Sequence, residues 1–304
     1  MPRSYRYFHL DVFTDRLFGG NQLAVVLDGR GLTAETMQAI AKEMNFSETT
    51  FVLPADTRET DCRVRIFTPG EELPMAGHPT IGTAYALARA GVFGPERDRV
   101  VFGLGVGPTP VALAWRAGEL IFAWMTQLTP VFGAPIADPA GAAAALRLPA
   151  AAVAGTGLPV QTVSCGVPYL LVPLTTRSAV DSASLDVIAY DAFVRAAKLD
   201  KVPVFLFSTE QAGDNATAYS RMFAPGFGIT EDAATGSAAG PLGCYLVRHR
   251  VVPDEGAGSI LSLQGVKMGR TSRIHVAVGL EMSEISSVRV GGESVVVGEG
   301  TLYL

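Results

Sequence analysis

Apolar and polar residues alternate at the start of the chain. Phe8, Leu10 and Val12 are apolar, with His9 and Asp11 between them, which predicts a half-buried strand. "QLAVVL" at 22–27 predicts a second strand. In "TAETMQAIAKEMN", Met37, Ile40, Ala41 and Met44 recur at helical spacing. Thr33 suits the N-cap of that helix and Glu35 favours its first turn. "CRVRIF" at 62–67 alternates again, with Val64 and Ile66 on one face. A second helix is predicted over about 79–90, with Pro79 at the first position and Gly91 at the exit. Short strands follow near 99–102, 111–115 and 120–125.

From about 126 to 158 the chain is rich in proline, glycine and alanine, with one short helix in "GAAAALRL". The start of this stretch reads as a domain boundary. The grammar then repeats. A strand lies near 168–174, and a helix near 185–199 with Ile188, Phe193, Ala196 and Ala197 as its apolar stripe. Strands at 203–208 and 216–223 lead to a glycine-rich turn and a helix at 237–249. Strands at 259–264, 272–279, 286–290, 294–298 and 301–304 close the chain. Many short strands and few helices suggest an α+β protein built on curved or barrel-like sheets.

The composition narrows the function classes. The 304 residues are 48% hydrophobic and 17% charged, enough for a sizeable core in one large or two ordinary domains. The net charge of -5 and the absence of a lysine or arginine run argue against nucleic acid or an anionic membrane surface as partner. No apolar stretch is long enough to span a membrane, and "MPRSYRYFHLDVF" lacks the basic head and apolar core of a signal peptide. Cys62, Cys165 and Cys244 are odd in number and widely spaced, which fits a reducing cytoplasm without a disulfide framework. The sequons at Asn45 and Asn215 then carry no meaning.

Two stretches resemble each other. Residues 67–82 read "FTPGEELPMAGHPTIG" and residues 223–240 read "FAPGFGITEDAATGSAAG". Both begin Phe-x-Pro-Gly after a strand that ends near an arginine, Arg65 or Arg221. Both carry acidic residues, and both enter an alanine-rich helix after glycine plus a polar residue, Gly77-His78 or Gly236-Ser237. A duplication is the reading we adopt. A helix N-terminus offers unpaired N–H groups and partial positive charge, and small residues such as Gly77, Gly236 and Ala238 let a ligand approach. Two such termini facing across a cleft would favour a small anion, most simply a carboxylate. Pro241, in the first turns of the second helix, predicts an irregular start there.

Among acid/base candidates, Glu48 in "MNFSETTFV" stands between a helix and a strand beside Phe46, Phe51 and Val52. Desolvation there would raise its pKa toward neutrality, although on this stretch alone a solvated loop glutamate is the stronger reading. His78 reads as an N-cap, a hydrogen-bonded core histidine, or a donor to substrate that protonation would strengthen. Asp232 reads as a cap of the turn or an orienter of a substrate amine or hydroxyl. Ser237 reads as an N-cap or a substrate contact. The four histidines show no paired metal spacing, there is no phosphate loop or Gly-x-Ser-x-Gly elbow, and "GLGVGP" at 103–108 leads into a strand rather than a helix.

The stretches "DVFTDRLFGGNQLAVV", "NFSETTFV", "RIFTPGEELPMAGHPTIGTA", "RMFAPGFGITEDAATGSAAG" and "QGVKMGR" together resemble the phenazine-biosynthesis PhzF-like family, relatives of diaminopimelate epimerase. They run in family order over nearly the whole chain. The resemblance implies two similar halves related by pseudo-twofold symmetry, each a mostly antiparallel, barrel-like sheet around a central helix. It places the halves at 1–126 plus 288–304 and at 127–287, with the last strand returning to the first half. It implies a homodimer, no cofactor and no metal. It makes Glu48 the proton-shuttling acid/base, with His78, Asp232 and Ser237 as substrate-contacting residues and Gly77 and Gly236 supplying backbone approach.

Epimerases and racemases of this fold carry a cysteine at each helix mouth, and this chain has none there. The resulting expectation is an isomerase that moves a proton on a small carboxylate-bearing substrate bound between the halves, with Glu48 serving both carbons. An epimerase pairing Glu48 with a non-thiol group is one alternative, and a non-catalytic small-molecule-binding dimer is another. Ala233, where proline is common, and Pro241 depart from the family pattern.

Overall fold

A computed structural model describes residues 3–200, 202–227 and 229–304. The first half of the chain supplies β1 (Ser4–Val12), β2 (Asn21–Val26), α1 (Ala34–Met44), β3 (Glu48–Leu53), β4 (Cys62–Phe67), β5 (Glu72–Leu73), α2 (Gly77–Arg89), β6 (Arg99–Leu104), β7 (Gly107–Arg116) and β8 (Glu119–Gln127). Next come β9 (Val131–Phe132), α3 (Pro139–Ala145), α4 (Ala151–Ala154), β10 (Gln161–Ser164), β11 (Pro168–Pro173), α5 (Arg177–Ser182) and α6 (Val187–Ala196). The remainder is β12 (Val204–Ser208), β13 (Ala218–Ala224), β14 (Ile229–Asp232), α7 (Gly236–Arg248), β15 (Ile260–Gln264), β16 (Ser272–Glu281), β17 (Glu284–Gly292) and β18 (Ser294–Tyr303). Two compact units result. One comprises Met1–Gln127, Gly269–Arg273 and Arg289–Leu304, and the other Leu128–Met268 and Ile274–Val288.

In the first unit, β1 pairs antiparallel with both β18 and β2, and β2 runs parallel to β3. The sheet continues through β4, β6, β7 and β8. It curls round α2, which touches β1, β2, β3, β7, β8 and β18. Every residue of α2 from Gly77 to Leu87 is buried. A helix buried on all faces has no place for a polar stripe, and its small residues let strands approach closely. A Cβ on Gly82 would stand 2.5 Å from Leu23 Cδ2 and 2.7 Å from Val12 Cγ2. By contrast α1 is amphipathic. It lays Met37, Ile40 and Ala41 on the outside of the sheet, over Phe51 and Phe67.

The second unit has its own buried helix. In α7, Gly236–Val247 are all buried, and the helix packs on β10 and β11. β11 runs parallel to β12, β12 pairs antiparallel with β13, and β13 pairs with both β14 and β15. An outer layer of α3, α5 and α6 covers this sheet through a core that includes Leu146, Val153, Tyr190, Phe193 and Leu206.

The expected helices and most expected strands are present, with differences that have local causes. α2 begins at Gly77, so Pro79 is its third residue rather than its first. Pro241 lies inside α7 without breaking it, and the helix runs on to Arg248. Residues 294–303 form one strand held along its length by β1, not two. β5, β9, β10, β14, α4 and α5 are additional short elements that the sequence pattern did not indicate. "GLGVGP" is the hairpin between β6 and β7, with Leu104 opposite Gly107.

Candidate active site

The chain turns from α1 into β3 through Asn45, whose left-handed φ of 54° closes the helix with its N–H on the Ala41 carbonyl at 3.1 Å. β3 therefore begins at Glu48, which is buried at 7% exposure. The solvated-loop reading of Glu48 is thus corrected. Residues 48 and 50 share a face of the strand, and both meet α2. Thr50 and Thr83 bring their hydroxyls to 3.0 Å. Glu48 Oε2 and His78 Nε2 lie 3.1 Å apart. The contact is a close approach rather than a formed hydrogen bond.

His78 is the second residue of α2, and Ala76 occupies the N-cap, which corrects the N-cap reading of the histidine. Burial holds the His78 ring pKa down to about 3, against a smaller upward effect of the Gln22 carbonyl. His78 is therefore neutral near pH 7, so a donation to substrate comes from the neutral ring. The opposite ring nitrogen, Nδ1, lies 3.2 Å from the Asn21 amide nitrogen. Asn21 in turn accepts from Ser47 Oγ at 3.2 Å. Asn21 and Ser47 stand inside "GGNQLAVV" and "NFSETTFV", but nothing in their local sequence pairs them with a histidine 57 residues from Asn21.

In the second unit, Asp232 ends β14, is 5% exposed and accepts from Thr235 Oγ1 at 2.6 Å. Gln264 completes this cluster. Its Oε1 accepts the Thr235 N–H, and its Nε2 donates to the Asp232 carbonyl and to Thr235 Oγ1, all at 2.9 Å. Ser237 is the second residue of α7, not its N-cap, which is Thr235. Its hydroxyl meets Tyr169 OH at 2.7 Å. Gly77 and Gly236 are the first residues of α2 and α7. No side chain caps either helix. Thr33, Asp138, Thr176 and Asp186 all cap α1, α3, α5 and α6 with their side chains.

The local geometry before the two helices also recurs. Arg65 pairs with Glu72 at 2.5 Å and lies over the Phe67 ring at 5.0 Å. Arg221 pairs with Glu231 at 2.7 Å and lies over the Phe223 ring at 4.8 Å. The cysteines keep away from the helix starts. Cys62 begins β4, and Cys165 and Cys244 face each other at 3.9 Å, buried, with Cys244 well inside α7.

The fold is that of epimerase- and racemase-like proteins. A hydroxyproline epimerase from Agrobacterium vitis superposes with a TM-score of 0.66 at 16% identity, covering 99% of this chain and 93% of that one. A PhzF-family phenazine biosynthesis protein from Bacillus anthracis superposes with a TM-score of 0.87 at 26% identity, covering 99% and 100%. The family described as phenazine biosynthesis-like protein, PhzC-PhzF, matches residues 10–300, and the chain belongs to that family. Its relatives are named isomerases. One is the trans-2,3-dihydro-3-hydroxyanthranilate isomerase of Pseudomonas aeruginosa, 37% identical over 300 residues, covering 99% of this chain and all of that one. Another is an uncharacterized isomerase of Mesorhizobium japonicum, 35% identical over 305 residues and covering 98% of each. The chain is thus a PhzF-family isomerase. Among the described residues, no helix is long and apolar enough to cross a membrane.

Proposed function

We propose that this isomerase moves a proton between two carbons of a small carboxylate-bearing substrate, without a cofactor, and that Glu48 is the group that moves it. The observation that carries the reading is the buried Glu48 carboxylate 3.1 Å from a neutral His78 at the start of α2. Glu48 takes a proton from one carbon, the electrons of that C–H bond shift the double bond, and the same carboxyl returns the proton to a second carbon on the same face. Atoms and charge balance without an external acid. His78 contacts the substrate and faces the carboxyl group. The uncapped first turn of α2 at Gly77 offers amides to the substrate carboxylate. Asp232, Ser237 and Gly236 are proposed as further substrate contacts. The Asp232 and Ser237 side chains are held by Thr235 and Tyr169. The relative's substrate, by its name a hydroxyanthranilate, has the carboxylate this reading requires.

The test is turnover of trans-2,3-dihydro-3-hydroxyanthranilate by the protein and by Glu48→Gln. Loss of a general acid/base costs about 10²–10⁴-fold. A Glu48→Gln enzyme with full turnover would overturn the role. Turnover in deuterium oxide separates chemistries, because inversion at one carbon with solvent deuterium would mark an epimerase instead.

A further inference from the structure

The "QGVKMGR" stretch carries a residue that the proposed chemistry does not use. Arg270 is 22% exposed and reaches the loop between β1 and β2. Its Nη2 donates to Asp11 Oδ1 at 2.5 Å and to the Gly19 carbonyl at 2.7 Å, and its Nε donates to the Gly20 carbonyl at 2.9 Å. Asp11, only 1% exposed, also accepts the Phe18 N–H at 2.7 Å. The neighbouring Thr271 carbonyl accepts the Gly20 N–H at 3.1 Å.

The loop needs such a clamp. Phe13 and Phe18 have φ of 65° and 67°, a left-handed conformation that bulky side chains disfavour. Gly20 has φ of 61°, and a Cβ there would stand 2.3 Å from the Val12 carbonyl oxygen. The next residue is Asn21, whose amide nitrogen faces His78 Nδ1 while its Oδ1 accepts from Ser47. With its oxygen engaged, the amide presents N–H to Nδ1, so Nδ1 is the acceptor and the ring proton sits on Nε2. That is the nitrogen facing Glu48.

We propose that Arg270 is a positioning residue: by clamping the 13–20 loop through Asp11 and the Gly19 and Gly20 carbonyls, it seats Asn21 against His78 and keeps the His78 proton on Nε2, toward Glu48. The proposal rests on the reading of Glu48 and His78 as the reacting pair. It assigns a purpose to a half-buried ion pair remote in sequence from either residue. A planar guanidinium serves three acceptors at once, which an ammonium on a flexible stem does not do in the same geometry.

The tautomer is read directly from ¹⁵N chemical shifts of the full-length protein labelled at histidine, with His78 assigned by its absence in His78→Gln. The expected spectrum has Nε2 in the protonated range and Nδ1 in the acceptor range. Asn21→Asp, which presents only acceptors, moves the proton to Nδ1, so the two signals exchange ranges. Arg270→Ala leaves intermediate shifts from a mixture of tautomers. It also lowers kcat on trans-2,3-dihydro-3-hydroxyanthranilate at least tenfold with KM within about threefold. If Arg270→Ala does not fold, Arg270→Lys takes its place with the same expectation. A native His78 protonated on Nδ1, donating to the Gln22 carbonyl, overturns the proposal. So does an Arg270 variant that keeps the native tautomer. The ring spectrum does not depend on turnover, so an active Glu48→Gln would sink the catalytic reading and leave this result standing.

Discussion

His78 Nε2 lies 3.1 Å from Glu48 Oε2, and burial holds the histidine neutral with a pKa of about 3. Above pH 6.5 the ring is neutral in both folded and unfolded chains and has no effect on stability. Below that, the unfolded chain takes up a proton that the folded chain refuses. Stability is therefore lost as pH falls from about 6.5 toward 3, with a slope near 1.4 kcal/mol per pH unit for this one proton. His9 and His249 are also lowered by burial and act in the same direction. Urea unfolding at a series of pH values measures the slope. In His78→Gln the curve over this window should be shallower by about that amount, and an unchanged curve contradicts the assignment.

The two arginine–glutamate pairs before the buried helices have the same geometry but different burial, and should differ in worth. Arg221 and Glu231 side chains are 8% and 17% exposed, and Arg221 Nη1 also donates to the carbonyls of Val180 and Ala183 at 2.8 Å. Glu231→Ala strands a buried guanidinium and should cost roughly 3 kcal/mol or more. Arg65 and Glu72 are 17% and 39% exposed, and Glu72→Ala should cost less than about 1 kcal/mol. Chemical denaturation of the two variants checks the ranking. Equal costs would show that burial does not set the strength of these pairs.

The cysteines should be spectators. Burial pushes the Cys62 thiol up to about 12, and the Cys244 thiol is raised by its contact with Cys165 and by burial. Thiolate is the reactive form, so Cys62 and Cys244 should resist a thiol reagent at pH 8, and burial shields Cys165 from it, until the protein unfolds. A chain with Cys62→Ser, Cys165→Ala and Cys244→Ala should retain isomerase turnover. A collapse of turnover in a folded triple variant would point to thiol chemistry.

Elements whose signals are local were legible in the sequence. Thr33 accepts from the Thr36 N–H at 3.2 Å as a cap should, and Met37, Ile40 and Ala41 form the buried stripe of α1. Gly91, with φ of 71°, leaves α2 at the expected place. The short β5 and β14, of two and four residues, carry too few positions for a period to emerge. The candidate site was legible in part: Glu48 and His78 drew notice through their surroundings and their resemblance to a family. Asn21 and Arg270 did not, because their partners lie 57 and about 250 residues away and no local rule connects them. The N-cap readings of His78 and Ser237 failed for a related reason. Cap chemistry holds for α1, α3, α5 and α6, whereas the buried helices begin one or two residues earlier, at glycine, with no side-chain cap.

The close seat of α2 against β1 and β2 gives a last expectation. In an exposed helix Gly→Ala gains up to about 1 kcal/mol from propensity. At Gly82 the new methyl would stand 2.5 Å from Leu23 Cδ2 and 2.7 Å from Val12 Cγ2, both fully buried. Overpacking of this kind costs roughly 1–3 kcal/mol, which outweighs the propensity gain. Gly82→Ala should therefore destabilise the protein. Leu23→Ala alone leaves a cavity and costs about 2–5 kcal/mol. In the double variant the Gly82 methyl enters the space that Leu23 vacates, so the combined loss should fall short of the sum of the two by at least about 0.5 kcal/mol. Denaturation midpoints of the three variants decide it, and strict additivity would mean that α2 does not press on Leu23 as the structure describes.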